Sequence, residues 1–181
     1  NANTGVREKE INLQVALRLR AILAARGANV LLTRVTDGRV APPEVFQLGP
    51  ADDQAHVDMG WRTYMANQLK VDLFFSIHHN CCEGSGTETY YTATTLNGDR
   101  SRTMARILQQ ELAPGLGQVD RGALADLMYV TRTTEAPAVL LELAFINHRV
   151  EQHLVSRPDY QEQAAVLMAR AIERFFAERT D

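Results

Sequence analysis

Two short segments of the chain are mainly apolar, and each contains an ionisable side chain that departs from the pattern. Residues 72–78 are rich in apolar and aromatic side chains and end in His78, while residues 138–143 form an apolar run interrupted only by Glu142. Runs of this length are typical of strands that are buried on both faces of a sheet. The polar exceptions are therefore candidates for functional side chains.

Patterns typical of helices and of strands recur along the rest of the chain. The pattern predicts helices over 7–26, 58–70, 100–113 and 159–178, and strands over 28–33, 72–78, 86–92, 126–131 and 138–143. Because helices separate most of these strands, we expect an α/β fold. The expected architecture is a single domain, residues 1–181, built as a three-layer sandwich in which helices cover both faces of a mostly parallel, twisted sheet.

The composition fits one globular domain and argues against two classes of protein. The 181 residues are 45% hydrophobic, which is enough for a substantial core. The net charge is −3 and Lys and Arg are spread along the chain, so the electrostatic signature of a nucleic-acid binder is missing. The sequence contains no run of about 18 apolar residues, and it therefore predicts no transmembrane helix.

A pair of histidines follows the first apolar strand. In open α/β sheets, ligands bind outside the carboxyl ends of the strands, so this position favours a functional role. Alternation along a strand puts His78 on the same face as Asn80 and puts His79 on the opposite face. We therefore expect the two imidazoles to point in opposite directions and not to bind one ligand together.

Glu142 needs an explanation because a carboxylate is rarely buried without a partner. Removing water from an isolated carboxylate costs several kcal/mol or shifts its pKa until it is neutral. Two explanations stay open for Glu142. It forms a salt bridge to an arginine such as Arg121 or Arg132, or it has a functional role.

Glu8 lies in line with the core-facing side of the first predicted helix. Ile11 and Val15 follow it at spacings of three and four residues, whereas Glu10 falls off this stripe. A glutamate in the first turn can simply complement the helix dipole, and for an isolated residue that is the better interpretation. The presence of Glu8, His78 and Glu142 in one chain favours a common functional site instead.

Six segments of the chain together resemble the catalytic domain of the zinc-dependent N-acetylmuramoyl-L-alanine amidases, which are called the type 3 amidase family. The segments occur in the family's order over nearly the whole chain. They are GVREKEINL at 5–13, GANVLLTR at 27–34, SIHHN at 76–80, GTETYY at 86–91, DRG at 120–122 and PAVLLE at 137–142. Each motif is weak by itself, but six in order with sensible spacing form a specific signal.

The resemblance implies a Zn²⁺ cofactor and roles for three residues. Glu8 and His78 are similar to zinc ligands of the family, and Glu142 corresponds to its catalytic carboxylate. Such a zinc site leaves one position open for water, and a nearby second carboxylate can take the proton of that water. His79 stands where the family usually has a small residue, and it receives no ligand role.

The resemblance also implies a segment upstream of the sequence given. In the family, an opening strand and a Gly-His-Gly-Gly motif, whose histidine is the first zinc ligand, would stand just before Asn1. We therefore expect this chain to lack its first strand. A separate upstream fragment, a partner chain or an intact precursor is expected to complete the sheet, because an open sheet edge is generally covered.

The remaining histidines and the two cysteines are weaker candidates for ligands. Surface or structural roles are expected for His56, His148 and His153. Cys81 and Cys82 are adjacent, which strains a disulfide, and no Cys-x-x-Cys spacing exists. The long connection over residues 36–57 is either a surface excursion or one wall of a substrate groove.

The function implied by the resemblance is peptidoglycan hydrolysis outside the cytoplasm of a bacterium, in a periplasm, at a cell surface or after secretion. The bond cleaved would be the amide between N-acetylmuramic acid and L-alanine of the stem peptide. Two alternatives stay open: a non-catalytic peptidoglycan-binding module with an incomplete metal site, and a zinc peptidase that cuts within the stem peptide. Peptidoglycan is the expected partner in each case.

Overall fold

A four-stranded sheet forms the middle layer of the protein. The computed structural model describes residues 7–47 and 53–178, and within these ranges the strands are β1 Phe74–Asn80, β2 Thr87–Tyr91, β3 Asp120–Ala125 and β4 Ala138–Phe145. Their order across the sheet is β1-β4-β2-β3. β1 runs parallel to β4 and β2 runs parallel to β3, while β2 and β4 are antiparallel. The sheet is therefore mixed, with parallel pairing at both sides and one antiparallel pairing in the middle.

Helices cover both faces of this sheet, as the sequence predicts. The helices of the described residues are α1 Glu8–Ala25, α2 Pro43–Phe46, α3 Gln54–Gln68, α4 Gly98–Leu116, α5 Tyr129–Thr133, α6 Glu151–Val155 and α7 Pro158–Ala177. α1, α4 and α7 pack together on one face, and α3 and α5 pack on the other. This arrangement confirms the expected α/β three-layer architecture. No helix in the described ranges is both long and apolar enough to cross a membrane.

The apolar run of β4 belongs to two cores at once. Val139, Leu141 and Leu143 face the larger core under α1, α4 and α7, whereas Ala138 and Leu140 face the smaller core under α3 and α5. Both faces are covered, so both sets of alternate positions are apolar. Glu142 follows the parity of Leu140. It therefore lies on the face of α3 and α5, beyond the end of the smaller core.

Two of the predicted strands are wrong. Residues 28–33 form no strand, because a strand needs a hydrogen-bonded neighbour and no described segment pairs with them. Residues 126–131 were expected to form a strand, but the strand is Asp120–Ala125 and the helix α5 begins at Tyr129. The backbone N–H of Arg132 donates to the carbonyl of Met128 at 3.0 Å, which closes a helical turn where the β-branched residues favoured extended chain.

The connection over residues 36–57 contains structure of its own. The short helix α2 lies within it, and α3 begins at Gln54 instead of residue 58. The carboxylate of Asp58 accepts hydrogen bonds from the backbone N–H groups of Val40 at 2.6 Å and Ala41 at 3.0 Å, which fixes the connection against α3. Its role as a groove wall stays a prediction, and residues 48–52 lie outside the described residues.

β1 forms one edge of the sheet among the described residues. The expected upstream strand with its histidine motif would precede residue 1, and residues 1–6 lie outside the described residues. The completing fragment or partner chain therefore stays a prediction.

Candidate active site

Four ionisable side chains form a row across all four strands on the face of α3 and α5. In the pairing registers, Glu142 of β4 lies opposite His78 of β1 on one side and opposite Glu88 of β2 on the other. Arg121 of β3 continues the row, because its guanidinium binds Glu88. We call Arg121, Glu88, Glu142 and His78 the polar row. It lies toward the carboxyl ends of β1 and β4, where the sequence predicts a functional site.

Glu8 contacts the end of the polar row from the first turn of α1. Its Oε1 atom lies 2.8 Å from Nδ1 of His78, and it also accepts a hydrogen bond from Asn12 Nδ2 at 3.1 Å. Burial raises the pKa of Glu8, but the hydrogen bond and charge of His78, with the bond from Asn12, outweigh it and hold the pKa at about 2. The structure therefore brings together two residues that are 70 positions apart in the sequence.

His79 points away from His78, as strand alternation predicts. Its side chain is buried on the α1 side of the sheet, and its Nδ1 lies 2.7 Å from Oδ1 of Asn12. Burial is the main reason that the pKa of His79 is lowered to about 4. Asn12 therefore links both histidines to α1, since its amide nitrogen donates to Glu8 and its oxygen faces His79.

Glu142 lies between His78 and Glu88 without an ion pair among the described residues. Its Oε2 atom is buried and has no hydrogen-bond partner in the described part of the chain. Burial is the main cause that raises the pKa of Glu142 to about 7, and the nearby carboxylates of Glu8 and Glu88 raise it further while His78 opposes them. The alternative explanation of Glu142 through a salt bridge to Arg121 is wrong, because Arg121 binds Glu88 instead.

Glu88 is the residue that the sequence interpretation missed. It lies within the GTETYY motif but received no role, and the structure buries it to 2% exposure. Its Oε2 accepts a hydrogen bond from Arg121 Nε at 2.6 Å, and its Oε1 accepts bonds from Tyr90 Oη at 3.0 Å and Asn80 Nδ2 at 2.9 Å. The available signal was its alternation with Tyr90, which places both side chains on one face of the strand.

The donor atoms of Glu8 and His78 fit a zinc site in their chemistry. Carboxylate oxygen and imidazole nitrogen are both common zinc ligands, and here they approach one another at 2.8 Å. Catalytic zinc usually has three protein ligands and a water. Within residues 7–47 and 53–178, no group of three His, Cys, Asp or Glu side chains is placed to hold a metal ion. The described residues thus offer two donor groups here, where catalytic zinc usually has three protein ligands.

The weaker candidate ligands have other surroundings. The sulfur atoms of Cys81 and Cys82 are 3.9 Å apart, and both thiols are free and exposed. The ring of His56 lies edge-on to Tyr129, with centroids 5.7 Å apart, and Nδ1 of His148 lies 3.5 Å from the backbone nitrogen of Glu151. These contacts agree with structural or surface roles.

A cavity of about 440 Å³ lies between the 36–57 connection, α3 and α5. Its lining is mostly aromatic and apolar and comprises Val45, His56, Val57, Gly60, Trp61, Tyr64 and Tyr129. The polar row contributes no side chain to it. The candidate active site is therefore the surface at the strand ends and not this cavity, because Glu8 and Glu142, whose pKa values are shifted, lie at the strand ends and neither of them lines the cavity.

Comparison with known proteins gives a consistent picture of sequence and fold. The sequence profile of the N-acetylmuramoyl-L-alanine amidase family matches residues 1–174. The N-acetylmuramoyl-L-alanine amidase LytC of Bacillus subtilis is 34% identical over 164 residues, which cover 89% of this chain and 29% of LytC. The germination-specific N-acetylmuramoyl-L-alanine amidase of the same organism is 29% identical over 178 residues, covering 96% of this chain and 73% of that protein. The chain thus spans less than a third of the length of LytC.

A solved structure shows the same fold. The CwlD amidase from Clostridioides difficile, in complex with the GerS lipoprotein, superimposes with a TM-score of 0.88 at 24% identity. The match covers 98% of this chain and 90% of that one. The three-layer architecture is therefore that of the amidase domain.

Proposed function

The chain belongs to the N-acetylmuramoyl-L-alanine amidase family, and from this membership we propose that it hydrolyses the amide between the lactyl group of N-acetylmuramic acid and L-alanine of the peptidoglycan stem peptide. One structural observation carries the proposal. The buried Oε2 atom of Glu142 has no partner among the described residues and lies beside the converging donors of Glu8 and His78. A carboxylate in this position is available to a reacting water.

Glu142 acts as the general base and then as the general acid. It takes a proton from the attacking water, whose oxygen bonds to the carbonyl carbon of the amide. The carbon–nitrogen bond then breaks, and Glu142 returns the proton to the leaving nitrogen. The immediate products are the lactyl carboxylic acid and the free amine of L-alanine; the acid then gives its proton to the amine, so a carboxylate and an ammonium group remain and atoms and charges balance.

Glu8 and His78 are the residues that would hold Zn²⁺. When bound, zinc polarises the scissile carbonyl and lowers the pKa of water. Asn12 orients Glu8, because its Nδ2 donates to that carboxylate while its Oδ1 faces His79. The third protein ligand lies outside the described residues, and the family resemblance predicts that it is a histidine.

Peptidoglycan as substrate implies a place of action outside the cytoplasmic membrane. We therefore place the activity in the periplasm or at the cell surface, where this polymer lies. The binding partner needed for the reaction is the peptidoglycan strand itself.

Three variants of the full-length protein test these roles. Glu142→Gln should retain bound zinc but lose about 10²–10⁴-fold in activity on purified peptidoglycan, because the proton transfer is lost. His78→Ala should lose the zinc as well, since imidazole supplies one of few protein bonds to the metal. Glu10→Gln is the matched control, because Glu10 pairs with exposed Arg7 on the outer side of α1 and should leave both readouts unchanged.

The outcomes separate the candidate functions. Release of a new L-alanine amino group identifies the amidase, whereas cleavage between stem-peptide residues identifies the peptidase. A wild-type protein that binds peptidoglycan without hydrolysing any amide would leave the binding module as the correct account. Equal zinc loss in Glu142→Gln and His78→Ala would make Glu142 a ligand.

A further inference from the structure

Arg121 is held in place by a carboxylate that is almost completely buried. Glu88 is 2% exposed, while the side chain of Arg121 is 40% exposed. Only Nε of Arg121 is used in this contact, at 2.6 Å from Glu88 Oε2. The other oxygen of Glu88 is fixed by Tyr90 and Asn80, so the carboxylate cannot turn to follow the guanidinium.

A second contact holds the guanidinium over an aromatic ring. Its central carbon lies 5.0 Å from the centroid of the Phe145 ring, which is itself 1% exposed. The backbone N–H of Phe145 donates to Glu151 at 2.7 Å, and the same carboxylate accepts a bond from Gly86 N–H at 2.7 Å. Phe145 is therefore anchored through both its ring and its backbone.

These contacts leave the outer edge of the guanidinium available. The Nη1 and Nη2 groups are recorded donating to no side chain among the described residues, and the Arg121 side chain is 40% exposed. This pair of parallel N–H donors is the fork that binds a carboxylate through two hydrogen bonds. A pre-oriented fork loses less conformational entropy on binding than a free side chain.

Stability alone is a weak reason for this arrangement. A buried charge pair is often no more stable than apolar residues of the same volume. Glu88 nevertheless occupies a fully buried position beside Glu142, and its partner remains exposed. An arrangement that keeps one face of an arginine open is better explained by a ligand.

The distance along the polar row limits what that ligand is. Glu142 and Arg121 stand on strands separated by one intervening strand, so their backbones are about 10 Å apart at a spacing of about 4.8 Å per strand. This distance corresponds to about three residues of extended chain. A peptide whose first amide lies at Glu142 therefore brings its second or third residue to Arg121.

We propose that Arg121, oriented by Glu88 and Phe145, binds a carboxylate on the second or third residue of the stem peptide and makes the protein prefer substrates in which this group is not amidated. The inference rests on the proposed amidase function. Arg121 is a binding residue in this account and takes no part in the proton transfer. Its effect should therefore appear in KM more than in kcat.

The test compares soluble muramoyl-tripeptides that carry a free carboxylate or a carboxamide at the second residue, and a second pair that differs at the third residue. The full-length wild-type protein should prefer one free carboxylate over its amide by about 10-fold or more in kcat/KM, as expected for a charge-assisted double hydrogen bond. The pair that shows the preference identifies which carboxylate is bound.

Two variants assign the preference to Arg121. Arg121→Lys keeps a charge beside Glu88 but loses the fork, and it should reduce the preference to about twofold or less. The double variant Glu88→Gln with Arg121→Gln removes both charges, so that no buried charge is left unpaired if the lysine variant fails to fold. Arg106→Lys is the matched control, because Arg106 is exposed on α4 at the opposite face of the sheet.

Each result has one meaning. No wild-type preference in either substrate pair overturns the inference, and so does a preference that survives in the variants. A wild-type protein that hydrolyses none of the four substrates instead contradicts the proposed amidase function.

Discussion

Removal of the Arg121 side chain should destabilise the protein because it leaves a buried carboxylate without its cation. Removing one partner of a buried ion pair costs about 3–5 kcal/mol. Here Arg121 is 40% exposed, so water replaces part of the lost contact, and Tyr90 and Asn80 still donate to Glu88. The lost charge-assisted hydrogen bond and the contact with Phe145 then amount to about 2–3 kcal/mol of unfolding free energy for Arg121→Ala.

Urea denaturation measures this loss. For an m value of about 2 kcal/mol/M, the midpoint should fall by about 1–1.5 M. Adding Glu88→Gln to Arg121→Ala should recover about 1–2 kcal/mol, because the neutral amide no longer needs a cation. Arg106→Ala is the control and should change the free energy by less than about 0.5 kcal/mol. A loss below about 0.5 kcal/mol in Arg121→Ala, or strict additivity with Glu88→Gln, would refute the reasoning.

Two further predictions concern stability. Gly86→Ala should lower the thermal midpoint by several degrees in calorimetry, because Gly86 has φ +105° and an added Cβ would lie 2.3 Å from the carbonyl oxygen of Val119; an unchanged midpoint would contradict this. Burial raises the pKa of Asp58, but backbone N–H groups and Arg62 outweigh it and hold the pKa below its usual range. Asp58 should therefore stabilise the fold fully above about pH 3.9 and lose this effect as the pH falls further, so Asp58→Asn should differ from wild type in urea midpoint at pH 7 and converge with it in acid.

The helices and central strands are predictable because the residues that they bury are apolar and recur at regular spacings in the sequence. α1 has Ile11, Val15 and Leu19 in its buried stripe, and β1 and β4 are apolar on both faces. The same reasoning fails for residues 28–33. They have a strand-like composition, but a strand also requires a neighbour, and composition does not report one.

The site was predictable only where a polar residue interrupts an apolar pattern. His78 ends an apolar strand, Glu142 interrupts another, and Glu8 lies at the start of a core-facing helical stripe, so all three were identified and the structure brings them together. Their chemical roles stay predictions. Glu88 stands between Thr87 and Thr89, where a polar residue interrupts no apolar run, and its carboxylate is paired with Arg121, which lies 33 positions later in the chain. Such a pair is visible only after the strands are assembled.

The position of β4 makes the proposed amidase activity depend on correct strand pairing in the sheet. Among the described residues, β1 and β2 do not pair with each other, and His78 and Glu88 share a register there only through Glu142. A slip of one residue along β4 would turn Glu142 into the larger core and present Leu141 or Leu143 in its place. A chain with this error is expected to stay compact and helical but to show no activity in an amidase assay. Specific activity per folded molecule should therefore report strand register more sharply than circular dichroism does.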